Sequence, residues 1–379
     1  MTRAGQSKSA SLELTGFTVG ITADRRWDEQ AALFERRGAA VVHGPAITTL
    51  PLGAETPLRQ ATDDVIASPP AVLIANTGVG IRSWFAHAEA WGMGQALQGA
   101  LSGTRIYARG PKASGAVHSA GMDVAARAAT ERMNEIVDLV IDRLQPGERV
   151  AVQLDGSGAS AEIDRLRAHG ADVLALPVYR WTVPDDTGPT LRLAEAILDG
   201  RVQAVTFTAG PAIRNWLAIA EENGIARDLS EALTGGHVVV GCVGPVCAQV
   251  AVSEGLGSPN LVQPEAHRLG PLVRAVTERL VARRVSVEIA GTAMTISGNA
   301  LIMGDEYLSL THTEARLLAT LAARPNAVYT KEQLLRAVWG SPNRDPHTVE
   351  VGIARLRRRL GPYGHTVRSV HRRGYTLRT

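Results

Sequence analysis

A four-residue phrase, Ile81-Arg82-Ser83-Trp84, returns 132 positions later as Ile213-Arg214-Asn215-Trp216, and no other feature narrows the possible folds of this chain so far. Arg37-Gly38-Ala39 and Pro45 return at the same offset as His169-Gly170-Ala171 and Pro177. Gly110-Pro111 returns as Gly244-Pro245, and Gly121 as Gly255, 134 positions on. Segments sharing nearly one offset mark a duplicated architecture. The chain up to about residue 283 therefore reads as two similar halves, each strand–helix–strand followed by strand–helix–strand–helix. Apolar runs at 16–22, 71–75, 105–108, 150–154, 204–208 and 237–241 are each followed by a polar or glycine turn and an amphipathic stretch. That is the grammar of buried parallel strands with covering helices, an α/β fold.

Ligands on such sheets gather at the carboxyl ends of the strands, where helix N-termini offer free backbone N–H groups to anions. The turns in question are Asn76-Thr77-Gly78, Arg109-Gly110-Pro111-Lys112, Asp155-Gly156-Ser157-Gly158, Thr208-Ala209-Gly210 and Val243-Gly244-Pro245. The Asp155–Gly158 turn lacks the lysine of a phosphate loop and any GxGxxG continuation. A hydrophobic content of 45% fills the cores of two or three domains in 379 residues. Residues 1–14 are expected to be a disordered N-terminus. No run of eighteen apolar residues occurs and residues 1–11 carry no apolar targeting core, so a cytoplasmic protein without membrane association is expected. Cys242 and Cys247 read as two small buried thiols, and no metal or cofactor site is expected.

The C-terminal end has a different character. From Arg324 to Thr379 there are 12 lysines and arginines against Glu332, Asp345 and Glu350, whereas the whole chain is only +3. Val349, Ile353, Leu356 and Leu360 recur at helical spacing, which leaves Arg355, Arg357, Arg358 and Arg359 mainly off the apolar stripe. A concentrated cationic face of this kind favours phosphate contact. Upstream, Thr313 is placed to cap a helix through Glu314, Leu317, Leu318 and Leu321. Thr330 and Gln333 form a capping box for a second helix through Leu334, Leu335, Val338 and Trp339. After the arginine helix come an extended run at 366–370, a turn at 371–374 and a second run at 375–377.

Three helices and a hairpin in this order, with these motifs, resemble the winged helix-turn-helix output domain of OmpR/PhoB-type response regulators. The resemblance covers about residues 286–379, so a domain at 284–379 is expected, with 285–310 as its small leading sheet. It implies double-stranded DNA as a partner, with His347, Thr348, Arg355, Arg357 and Arg358 facing the duplex and Ser369, His371, Arg372 and Arg373 on the wing. Arginine suits this, since its fork pairs with a guanine edge or a phosphate. Gly352 and the His371-Arg372-Arg373 tip depart from the family pattern. No receiver domain precedes the winged helix, which excludes a phosphorylated response regulator.

The duplicated part resembles uroporphyrinogen-III synthase over about residues 15–282. The carriers are Ala75-Asn76-Thr77 with Phe207-Thr208-Ala209, Arg109-Gly110-Pro111 with Val243-Gly244-Pro245, and Leu166, Gly170, Val173 and Val178-Tyr179-Arg180. The resemblance implies a chain that crosses between two similar parallel-sheet domains. Domain 1 would be 15–43 with 183–283 and domain 2 would be 50–177, joined by 41–49 and 176–183, with the site in the cleft between them. The family's substrate is the linear tetrapyrrole hydroxymethylbilane, rich in carboxylates. Arg25, Arg26, Arg82, Arg109, Lys112, Arg180 and Arg214 are the available cations, with Thr77, Gly78, Ser114, Thr208, Gly210 and Gly244 at the strand ends. Tyr179 matches the tyrosine that helps the hydroxyl leave. Ala113, Cys247 and Ala209 stand where the family places hydroxyls, which points to a changed ligand.

Two readings stand side by side. One is a transcription regulator whose synthase-like module binds a small anionic effector. The other is an active synthase closing hydroxymethylbilane to uroporphyrinogen III beside an accessory DNA-binding domain. The pairing of modules also resembles actinobacterial regulators of nitrate and nitrite assimilation. Because only about residues 281–285 join the modules, the winged helix is expected to dock on the domain containing 183–283.

Overall fold

The computed structural model describes residues 12–51, 56–154 and 161–379. The chain begins an α/β sheet with β1 (Thr18–Ile21), α1 (Trp27–Glu35) and β2 (Ala40–His43), then leaves it through β3 (Thr48–Pro51). A second α/β domain follows: α2 (Thr56–Ala67), β4 (Val72–Ala75), α3 (Gly78–Ala90), α4 (Gly94–Leu101), β5 (Arg105–Ala108), α5 (Pro111–Ser119), β6 (Ala126–Arg127), α6 (Met133–Ile141), β7 (Arg149–Gln153), α7 (Ala161–Ala168) and β8 (Asp172–Leu176). Strand β9 (Tyr179–Thr182) leads back, and α8 (Gly188–Leu198), β10 (Ala204–Phe207), α9 (Gly210–Glu222), α10 (Ala226–Thr234), β11 (Val239–Cys242), α11 (Pro245–Ser253), β12 (Leu261–Val262) and α12 (Leu269–Val281) complete the first domain. The first sheet runs β12-β11-β10-β1-β2 and the second β6-β5-β4-β7-β8, parallel throughout. The two crossings pair with each other as an antiparallel ribbon, Thr48 opposite Thr182 and Pro51 opposite Tyr179. The segment 41–49, expected as a linker, therefore supplies part of β2 and of β3. Thr48–Thr182 forms one compact unit, and the chain up to Ile47 with Val183–Thr379 forms the other.

The repeated residues occupy matching positions in the two sheets. Trp84 on α3 and Trp216 on α9 are both fully buried. The Trp84 indole donates to Thr62 Oγ1 at 2.9 Å, and that of Trp216 to Thr190 O at 3.4 Å. Gly110-Pro111 and Gly244-Pro245 each provide the cap and first residue of a helix, α5 and α11, where proline's missing N–H is no loss. Gly38 and Gly170 both follow a helix at positive φ, +90° and +86°. Each sequence half thus contributes to both domains. The disordered N-terminus expected at 1–14 falls outside the described residues up to 11, whereas Leu14 is buried in the core of the first domain. The Asp155-Gly156-Ser157-Gly158 turn also lies outside the described residues.

The winged helix opens with an antiparallel sheet, β13 (Val285–Ile289), β14 (Thr292–Ser297), β15 (Ala300–Met303) and β16 (Glu306–Ser309). It continues with α13 (His312–Ala322), α14 (Lys331–Trp339), α15 (His347–Leu360), a 3-10 turn at Gly361–Thr366, and the hairpin β17 (Val367–Val370) and β18 (Gly374–Leu377). The cap of α13 is Thr311, not Thr313: Glu314 is three residues after Thr311, and the two exchange a full capping box. The second box, Thr330 with Gln333, forms as expected. Gly352 is buried where α15 crosses its neighbours, and a Cβ there would meet Leu317 Cδ1 at 3.0 Å and the Trp339 ring at 3.3 Å. The glycine's helix penalty is thus offset by a closer helix crossing.

This domain rests on the first α/β domain. The β14–β15 turn inserts beside Gly16: Asn299 N donates to Gly16 O at 2.8 Å, and Asn299 Nδ2 to Gly200 O at 3.1 Å. Ser297 Oγ donates to Thr15 O at 2.6 Å, and Arg284 Nη2 to Leu12 O at 3.0 Å. A Cβ on Gly298 would lie 2.4 Å from Gly16 O, and one on Gly200 would lie 2.2 Å from the His312 ring.

Candidate nucleic-acid interface and strand-end loops

Helix α15 buries Val349, Gly352, Ile353, Leu356 and Leu360 and turns His347, Glu350, Arg355, Arg358 and Arg359 outward. Arg355 and Arg358 are exposed and form no ion pair among the described residues, and His371, Arg372 and Arg373 are exposed at the wing turn. Thr348 is half-buried beside them. Arg357 has a different position from the one expected. Its Nε donates to Val367 O at 2.7 Å and its Nη2 to Ser369 Oγ at 3.0 Å, so it straps the wing to α15 and occupies Ser369 in doing so. Arg359 reaches back to the buried Glu314, 3.5 Å away. In the first turn of α15, Glu350 accepts from Lys331 Nζ at 2.5 Å and pairs with His347 Nδ1 at 3.0 Å. Lys331 and His347 hold the Glu350 carboxyl below its ordinary range. Lys331 thus neutralises Glu350, the acidic residue in the first turn of α15. Sequence reasoning missed it because its partner is 19 residues away on another helix.

At the carboxyl ends of the second sheet, Thr77 caps α3, its Oγ1 accepting from Gly80 N at 3.1 Å. Buried Gln153, at the end of β7, ties this turn together. Its Oε1 accepts from Asn76 N and Thr77 N at 3.1 and 3.0 Å, and its Nε2 donates to Thr77 Oγ1 at 2.8 Å. The Tyr179 hydroxyl donates to the same Thr77 oxygen at 3.5 Å, so Thr77 and the candidate catalytic tyrosine share one polar knot. Asn76 is buried, and its Oδ1 has no hydrogen-bond donor among the described residues. An acceptor in that state suits a ligand N–H. Gly78 packs against the start of α5, where a Cβ would strike Lys112 O. Lys112 and Arg82 are exposed, Ser114 is half-buried, and Arg109 is half-buried and engaged. The Arg180 side chain lies outside what the structure describes.

The first sheet differs at the matching positions. Ala209 caps α9 with no side-chain bond, Thr208 is half-buried, and Gly210 admits Val250 as Gly78 admits Lys112. Gly244 meets His267. Two of the expected anion arms are occupied. Arg26 Nε and Nη2 fork onto Glu29 at 2.8 and 2.5 Å, and Arg214 Nε pairs with Glu254, just past the end of α11, at 3.0 Å. Arg25 is exposed. Cys242 and Cys247 are buried free thiols. The Cys242 contact and burial raise the Cys247 pKa above its ordinary value, which leaves it unreactive. Among the described residues no cluster suited to a metal ion occurs, and no helix is long and apolar enough to cross a membrane.

Comparison with known proteins divides the chain at the same place. The family described as uroporphyrinogen-III synthase HemD matches residues 28–274, and the C-terminal domain of transcriptional regulatory proteins matches 304–377. A putative uroporphyrinogen-III synthase of Methanothermobacter thermautotrophicus is 33% identical over 111 residues, 29% of this chain and 41% of its own. The phosphate regulon transcriptional regulatory protein PhoB of Escherichia coli is 35% identical over 112 residues, 28% of this chain and 49% of its own. The chain thus spans half or less of the length of these relatives. The structure of a mutant uroporphyrinogen III synthase from Thermus thermophilus aligns with a TM-score of 0.57 and 27% identity, covering 70% of this chain and all of that one.

Proposed function

From a chain that belongs to the uroporphyrinogen-III synthase family and ends in a transcriptional-regulator DNA-binding domain, we propose a DNA-binding transcription regulator whose synthase-like module senses a small anion. The observation that carries this reading is α15 with its wing. Arg355, Arg358 and His371–Arg373 stand exposed on one domain, and the only carboxylate in the first turn of that helix is already matched by Lys331. Such a surface meets phosphates and base edges together. The loss of hydroxyls at Ala113, Ala209 and Cys247, and the engagement of Arg26 and Arg214 by carboxylates, support sensing over turnover. The resemblance of the two-module layout to nitrate and nitrite assimilation regulators supports a role in nitrogen assimilation or tetrapyrrole supply. Gel-shift titration of the full chain on its own upstream region tests the reading. Sequence-selective retardation is expected, and its absence at any salt concentration overturns it.

One observation favours turnover. Tyr179, Thr77 and Gln153 form a half-buried polar knot beside Asn76 Oδ1, which has no donor among the described residues, a constellation able to hold a pyrrole N–H near a phenol. Incubation of the chain with hydroxymethylbilane, with the porphyrin isomers separated, distinguishes the two. Uroporphyrinogen III in excess over the spontaneous isomer I would establish the enzyme.

A further inference from the structure

Where the winged helix rests on the first α/β domain, a cavity of about 190 Å³ opens. Gln203 and His237 line it from the α/β side, Arg283 from the connecting segment, and Asn299, His312 and Arg316 from the winged helix. The rest of its wall is apolar side chains and glycine. Two arginines and two histidines therefore share one cavity whose wall contains no carboxylate. The arginines meet only neutral oxygens. Arg283 donates to His237 O at 2.7 Å and to Asn260 Oδ1 at 2.6 Å, and Arg316 donates to Ala337 O. Burial lowers the pKa of both guanidinium groups, and no described carboxylate counteracts it. Burial and the neighbouring arginines also push both histidines toward the neutral form, His312 down to about 4.

Half-buried cations without a counter-charge are unfavourable, and guanidinium groups supply the donors that oxoanions require. The groups also come from both sides of the contact: His237 belongs to the α/β domain, and His312 and Arg316 belong to α13. Empty, the cavity leaves Arg283 and Arg316 without a counter-charge at this contact; filled by an anion, it gives both a shared partner. We propose that this cavity binds a small oxoanion of the phosphate, sulfate or carboxylate class, and that the bound anion fastens the winged helix to the first α/β domain. This site is separate from the strand-end loops and does not depend on which of their functions holds.

Calorimetric titration of the full chain with inorganic phosphate, against chloride at equal ionic strength, tests the proposal. Saturable one-site uptake is expected, accompanied by a rise in melting temperature. Parallel titrations with sulfate and acetate show which oxoanion geometry is preferred. Arg283→Gln and Arg316→Gln should each weaken phosphate at least tenfold. Ala319→Glu should abolish the response by tethering a carboxylate inside the cavity, since Ala319 lines it. Arg316 also ties α13 to the α14 backbone, so if its variant fails to fold, Arg283→Gln and Ala319→Glu decide the matter. Uptake no greater than with chloride, or unaltered in those two variants, overturns the proposal. So does uptake that disappears instead in Arg355→Ala/Arg358→Ala, which would place the anion on the DNA face.

Discussion

Arginines that look alike in sequence do three different jobs on α15. Arg355 and Arg358 stand exposed with no ion pair among the described residues, Arg359 pairs with Glu314, and Arg357 straps the wing. Arg355→Ala and Arg358→Ala are accordingly expected to lose about 1–3 kcal/mol of operator binding where a base edge is met. Arg357→Ala should weaken all sequences alike, because it disturbs the wing and not a base contact. A gel shift in which Arg357→Ala alters sequence preference and the other two do not would reverse this assignment. His312 sets a pH limit. Its folded pKa near 4 lies below the ordinary 6.5, so the neutral form is the one the fold accepts. Stability from this site is complete above about 6.5 and is lost as pH falls toward 4, by roughly 1–3 kcal/mol in all. Melting curves across that range should fall more steeply for the native chain than for His312→Gln. Parallel slopes would show that His312 is not the group responsible. Little of this was legible from single residues. Arg357 sits between the core stripe and solvent, and its partner lies across a turn at Val367. The Arg214 partner, Glu254, is 40 positions away.

Elements were more legible than the contacts between them. Periodicity placed six of the parallel strands within a residue or two, because a buried parallel strand must be apolar on both faces, and it did not mark β2, β6, β8 or β12. The repeat placed Trp84 and Trp216 in equivalent pockets. The start of α13 was misread by two residues, since both Thr311 and Thr313 are capping types and only the spacing to Glu314 separates them. Thr311→Ala is therefore expected to lower domain stability by about 1 kcal/mol, with Thr313→Ala affecting it less. Denaturant midpoints of the two variants check the order. Equal midpoints would deny the capping box a role. At the end of β4, the Asn76-Thr77-Gly78 turn was legible from sequence, but the buried Gln153 that ties it together was not. A lone glutamine closing an apolar strand carries no local signal of the turn it bonds.

At the scale of the whole molecule, the docked winged helix makes Gly298 a hinge of assembly more than of local fold. With φ +53° and Gly16 O at 2.4 Å from any Cβ, Gly298→Ala should loosen the contact while leaving both cores intact. Calorimetry is expected to resolve two melting transitions in that variant where the native chain gives more closely coupled unfolding. A single unchanged transition would mean that the contact contributes nothing. If docking carries a signal, operator DNA and effector must alter each other's affinity by one common factor. Titration of the effector with and without operator DNA measures it.

The interrupted first sheet also has a consequence for synthesis on the ribosome. Strand β1 lies between β2 and β10, and Thr18 N bonds Gln203 Oε1 across 185 residues of chain. At about 5–20 residues per second, β1 waits ~10–40 s for its neighbour. Before β10 emerges, the second domain, which is contiguous, already has every strand of its own sheet available. The opening β–α–β unit is meanwhile left with an unpaired apolar edge, a nascent segment that a chaperone is suited to shield.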